Sequence, residues 1–195
     1  VVERGKADGV FITTTGVGVL PEGVHLGGER VQVGDAVLLS GSIGDHGVAI
    51  MSQRDNLTFD APVQSDTAAL NGLVAHLLQS GVELHCLRDP TRGGVAATLN
   101  EIAAQAGVGM MLQERAIPVR PVVNAACELL GLDPLNVANE GKLLAFCPQA
   151  QAPALLAALR AHPQGQDAAI IGEVMADDHH FVQLTTAFGG RRIVD

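Results

Sequence analysis

Nowhere in its 195 residues does the chain carry a run of about 18 apolar side chains, nor a basic stretch leading into a shorter apolar one. Neither a membrane span nor a signal peptide is indicated, so a soluble, cytoplasmic protein is expected. Clustered positive charge is missing too: 12 Lys and Arg stand against 21 Asp and Glu, a formal net charge of -9, with no basic run. That balance argues against a nucleic-acid partner held by counterion release, and any anionic ligand has to be met by local groups. Cysteine is scarce. Cys86, Cys127 and Cys147 are odd in number, far apart and set among apolar residues, which suits buried reduced thiols better than disulfides or a zinc site. No Met precedes Val1 and no polar tail follows Ile193-Val194, so the chain is expected to be a piece of a longer protein.

What is present is an apolar-rich sequence, 47% hydrophobic, long enough to bury a substantial core. Strands are expected at Val1-Val2 and, after a turn over Gly5 to Gly9, at Val10 to Thr15. Others follow at Ala36 to Ser40, Val82 to Leu87, Val108 to Leu112, Lys142 to Cys147, Ala168 to Val174, His180 to Thr185 and Arg191 to Val194. Helices are expected at Val48 to Gln53, from Ser65-Asp66 to Gly81, after Gly94, from Pro121 to Gly131, and at Pro153 to Ala161. In the second, Ala69, Leu70, Leu73, Val74, Leu77 and Leu78 form one stripe of 3.6-residue period. Pro121 fits a first helical position and Gly131 a terminus. Helices alternate with strands early and strands crowd together late, which predicts an α+β layered fold with a mixed sheet.

Three stretches are candidates for chemistry. In LRDPTRGGVAATLNEIA, Thr91 or Asp89 can cap the coming helix, Gly93 and Gly94 leave the backbone open, and Arg88 and Arg92 add charge. Such a helix start favours an anion; a self-paired solvated cap is the alternative. In GSIGDHG, Gly41 to Gly47, glycines recur every third position without the Lys-Ser/Thr of a phosphate-binding P-loop. Asp45 fits a cap there, and His46 either an acid-base group or a hydrogen-bonded turn histidine. In NVANEGKLLAF, Glu140 stands before an apolar strand, placed to take a proton or simply to pair with Lys142. The Asp177-Asp178-His179-His180 run reads as a solvated turn, because consecutive side chains at a strand entry point apart; no metal ligand is expected.

Taken in order, GDAVLLSGSIGDHGVAIM, LRDPTRGGVAATLNEIA, PVRPVVNAACELLGLDPLNVANEGKLLAF, the IIGEV strand and the AFGGRRIVD ending closely resemble the HypE family. These are hydrogenase maturation carbamoyl dehydratases within the superfamily of aminoimidazole ribonucleotide (AIR) synthetase, or PurM, and selenophosphate synthetase. The resemblance implies a PurM-like α+β carboxy-terminal domain over residues 30–195, preceded at 1–29 by the end of an ATP-binding domain. It implies ATP and Mg²⁺ as cofactors of the full-length protein, a homodimer, and partnership with the HypF carbamoyltransferase and the HypC–HypD complex. The implied reaction dehydrates a carboxamide on a carboxy-terminal cysteine to a thiocyanate, the source of cyanide ligands for nickel-iron hydrogenase. Glu140 becomes the candidate base, with Asn139 orienting it. Arg88, Asp89, Thr91, Arg92, Gly93 and Gly94 would face a phosphate-bearing cleft, and Asp45 and His46 would line it.

Departures from that pattern matter as much. The family's terminal Pro-Arg-x-Cys is absent, as are the magnesium-holding acidic residues and glycine-rich segment of the amino-terminal domain. The chain alone is therefore expected to bind no cofactor tightly and to be inactive. A superfamily synthetase acting on another oxygen, or a non-catalytic partner-docking domain, stays open as an alternative.

Overall fold

The computed structural model describes residue 13 and residues 15–54 and 63–195. The expected strand at Val1-Val2, the turn at Gly5 to Gly9 and most of the strand at Val10 to Thr15 lie outside the described residues.

Among the described residues seven strands form one mixed sheet: β1 (Asp35–Leu39), β2 (Cys86–Arg88), β3 (Gly109–Gln113), β4 (Leu144–Pro148), β5 (Ala169–Met175), β6 (Val182–Thr185) and β7 (Arg191–Ile193). Their order is β2-β4-β1-β5-β3-β6-β7. Only the β3–β6 pair is parallel. The described residues also form five α-helices: α1 (Asp45–Arg54), α2 (Asn71–Leu78), α3 (Gly94–Ala106), α4 (Pro121–Leu130) and α5 (Ala152–Arg160).

Strand alternation splits the core into two layers. Val37 and Leu39 of β1 join Leu144, Phe146, Met110 and Leu112 beneath α3, whose Val95, Leu99, Ile102 and Ala103 are all buried. Ala36 and Leu38 face the other way, with Ala145 and Cys147, against Leu73 and Leu77 of α2 and Leu155 and Leu159 of α5. Truncating one such buried Leu to Ala costs about 2–5 kcal/mol. A smaller cluster, Val48, Val123, Ala126, Cys127 and Val137, joins α1 to α4. All three cysteines are buried free thiols.

The strand directions put the carboxyl ends of β1, β2, β3 and β6 and the amino ends of β4, β5 and β7 at one end of the sheet. All three candidate stretches enter or leave there.

Two elements differ from the sequence expectation. The helix expected from Ser65 begins at Asn71, because side chains upstream divert the backbone. Ser65 Oγ accepts the Thr67 N–H at 3.1 Å and contacts Thr67 Oγ1 and His46 Nδ1 at 2.7 and 2.8 Å. The strand expected from Val82 shrinks to Cys86–Arg88. Elsewhere, boundaries move by a few residues at most. Pro121 opens α4, and Gly131 closes it with φ 68°, the Leu132 N–H returning to the Cys127 carbonyl at 2.8 Å.

Candidate active-site end of the sheet

Asn139, 1% exposed, is the knot of this end. Its Oδ1 accepts the Gly44 N–H at 2.8 Å, and its Nδ2 donates to the carbonyls of Pro90 and Val137 at 2.9 and 3.1 Å. One side chain thus binds the GSIGDHG turn, the RDPTRGG turn and its own NVANEGK loop together. A buried amide with these partners is satisfied as donor and acceptor. Glu140 is not among the partners: Asn139 orients three loops, and the residue that holds Glu140 is Asp66, whose Oδ1 accepts the Glu140 N–H at 3.2 Å.

The glycines close around the same loop instead of opening the backbone to a ligand. Gly94 has φ 64°, and a Cβ on it would lie 2.3 Å from the Leu135 carbonyl oxygen and 2.7 Å from that of Val137. On Gly47 a Cβ would meet Val137 Cγ1 at 2.4 Å, and the Gly47 N–H donates to the Ala138 carbonyl at 3.1 Å. Gly93, at φ 78°, stays exposed as the cap of α3. Neither Thr91 nor Asp89 caps that helix: no side chain accepts from its first turn, and it is the Thr91 carbonyl that receives the Gly94 N–H, at 2.9 Å. The left-handed glycine makes the turn without a polar cap.

The charged groups divide by burial. Arg88, half exposed, pairs with Glu101 at 3.1 Å and approaches Asp89 at 3.8 Å, the self-paired arrangement of a solvated surface. Arg92 is exposed and makes no ion pair among the described residues. The Asp45 carboxylate is turned inward, 1% exposed, and begins α1 instead of capping it. The Ser42 hydroxyl donates to its Oδ2 at 2.6 Å, and Arg120 Nε lies 3.5 Å from its Oδ1. His46, the second residue of α1 and not a turn histidine, is half-buried and bonded to Ser65 beside a mostly apolar hollow of about 330 Å³ that Ile50, Met51 and Val137 also line.

Glu140 is exposed. Lys142, its expected partner, reaches Asp66 Oδ2 instead, at 3.8 Å, so the carboxylate of Glu140 stands clear of an ion pair among the described residues. Gly141 is needed beside it, because a Cβ there would fall 1.8 Å from the Asp66 carbonyl oxygen. Asp66 was legible only as part of a helix start; nothing local to it signals a partner more than 70 residues away. Among the described residues no group of three or more His, Cys, Asp or Glu side chains could hold a metal, and no helix is long and apolar enough to cross a membrane.

Residues 32–185 match the family model of the AIR synthase related protein, C-terminal domain. The carbamoyl dehydratase HypE of Azotobacter vinelandii is 66% identical over the whole chain, which spans 57% of that relative's length. A crystal structure of a HypE in complex with ATP superposes with a TM-score of 0.82 at 49% identity, over 87% of this chain and 52% of that one. That of a HypE–HypF complex gives 0.86 at 45% identity, over 90% and 57%. The chain thus spans a little over half the length of the relatives it matches, and it belongs to the HypE family of carbamoyl dehydratases, through the carboxy-terminal domain of AIR synthase-related proteins.

Proposed function

We propose that this chain is the carboxy-terminal half of an ATP-dependent carbamoyl dehydratase, with residues 1–29 ending the preceding domain and 30–195 forming the domain described. Its partner in carbamoyl transfer is a HypF-type protein, as the HypE–HypF complex supports. The observation that carries the reading is the Asn139 knot, because it gathers the three family-specific stretches at one sheet end and leaves Glu140 and Arg92 exposed and, among the described residues, free of ion pairs there.

Converting a thiocarboxamide to a thiocyanate removes the amide oxygen and both nitrogen protons. ATP supplies the phosphoryl group that turns the oxygen into a leaving group. Glu140 is the proton acceptor: its carboxylate is solvent-facing while its backbone is pinned by Asp66. Arg92, beside the first turn of α3, offsets negative charge on a phosphorylated amide, and the dipole of the 13-residue helix acts in the same sense. Asp66 and Asn139 keep base and cation in fixed loops. Magnesium ligands are assigned to none of the described residues.

The test is Glu140→Gln in a protein of the relatives' full length. ATP binding is expected to persist while thiocyanate formation falls by about 10²–10⁴-fold. Wild-type turnover in that variant would remove Glu140 from the chemistry.

A further inference from the structure

Arg115, Arg120 and Arg160 line one open cavity of about 550 Å³, walled by Ser42, the 115–121 loop and the 166–169 turn. Two of the guanidiniums are anchored through one N–H and keep the others, and the third stands at ion-pair distance from a buried carboxylate. Arg160 Nε donates to the Ala168 carbonyl at 3.0 Å and Arg115 Nη2 to that of Ala187 at 2.6 Å. Arg120 Nε faces the buried Asp45 carboxylate, itself braced by Ser42. Arg115 and Arg160 have no ion-pair partner among the described residues, although Asp167 lines the same cavity. A protein of net charge -9 places a quarter of its 12 basic residues here. Anchored guanidinium forks lose little freedom on meeting an oxyanion and match phosphate oxygens two at a time.

We propose that this cavity is an anion site for a phosphoryl-bearing small molecule with the charge and reach of pyrophosphate. It opens at the same sheet end as Glu140 but on the β1-β5-β3 flank, whereas Glu140 lies toward β2-β4-β1. The Arg120–Asp45 contact couples the cavity to the start of α1. The site does not depend on the role given to Glu140.

Sodium pyrophosphate titrated into this 195-residue chain, followed by calorimetry and by amide shifts, provides the test. Saturable binding is expected, with shifts centred on residues 42–45, 115–121 and 166–169. Arg115→Gln and Arg160→Gln should each weaken it about tenfold, and Glu140→Gln should leave it unchanged. Both arginines are exposed, so circular dichroism should show an intact fold in either variant. Absent saturation, shifts confined to the start of α3, or unweakened binding in the Arg115→Gln/Arg160→Gln double variant would each overturn the site.

Discussion

The two ends of the sheet are locked by buried polar side chains of different kinds. At the candidate active end the lock is a neutral amide, Asn139, spent almost entirely on backbone groups. At the other end it is a histidine–carboxylate pair: His85 and Asp35, each 1% exposed, meet at 2.7 Å, with Glu83 3.2 Å and Gln32 3.3 Å from the other ring nitrogen. That end is saturated. The Gln32 N–H also goes to Asp35, and the Gly27 N–H to the His85 carbonyl. The amide lock fixes three loops without engaging their charged side chains, so Arg92 and Glu140 make no ion pair among the described residues; the histidine–carboxylate lock takes up Asp35 and Glu83 within itself. The difference separates an end built to meet something from an end built to stay shut.

Breaking the histidine–carboxylate lock should have the largest effect. His85→Ala leaves the buried Asp35 carboxylate with the Gln32 N–H alone, and a loss of about 3–5 kcal/mol is expected in urea unfolding. Next comes Gly94→Ala, which combines a left-handed backbone with a Cβ 2.3 Å from the Leu135 carbonyl oxygen; about 3 kcal/mol is expected, read from the same transition. Asn139→Ala unties the neutral lock and strands the Gly44 N–H and the Val137 carbonyl, while the Pro90 carbonyl keeps the backbone N–H of residue 139, for about 2–3 kcal/mol. If Asn139→Ala cost more than His85→Ala, the ranking of the two locks would be reversed.

The thiols sharpen the comparison from the side of pH. Cys86 and Cys147 are pushed up to about 11 by burial, with Asp35 adding to the rise at Cys147. Above the ordinary thiol value of 9.0 the unfolded chain gives up these protons while the folded chain keeps them. The folded state then binds more protons than the unfolded, so stability falls as pH climbs from about 9 toward 11. Unfolding midpoints at successive pH values check this, and a Cys147→Ala variant should show a shallower fall. Below pH 9 both thiols should resist alkylation until the chain is unfolded.

How much of this was legible depended on whether the cause was local. The α3 stripe of Val95, Leu99, Ile102 and Ala103, the Pro121 start and the Gly131 stop were readable because period and cap chemistry act within a few residues. The candidate stretches were also readable, but the reason for their glycines was not. Gly47 and Gly94 serve contacts with residues 135–138, over 40 positions away, and no local spacing announces such an approach. The same holds for Asp66, whose local pattern favoured a helix and whose bond to Glu140 removed it. Asp35 and His85 went unread for a like reason, being 50 residues apart.

The smallest effects belong to the arginines of the RDPTRGG turn, and they separate function from architecture most sharply. Arg88 is half exposed, and its pairs with Glu101 and Asp89 are surface pairs; Arg88→Gln should cost less than about 0.5 kcal/mol. Arg92 has no described partner to lose, so Arg92→Gln should leave the unfolding midpoint where it is. In a protein of the relatives' full length the order should invert, with Arg92→Gln lowering thiocyanate formation by at least tenfold and Arg88→Gln by much less. A charge offered to a phosphorylated amide acts in the transition state and not in folding. Equal loss of turnover in both variants would point to the turn's summed field instead of Arg92 itself. A shifted midpoint in Arg92→Gln would mean that this arginine belongs to the lock after all.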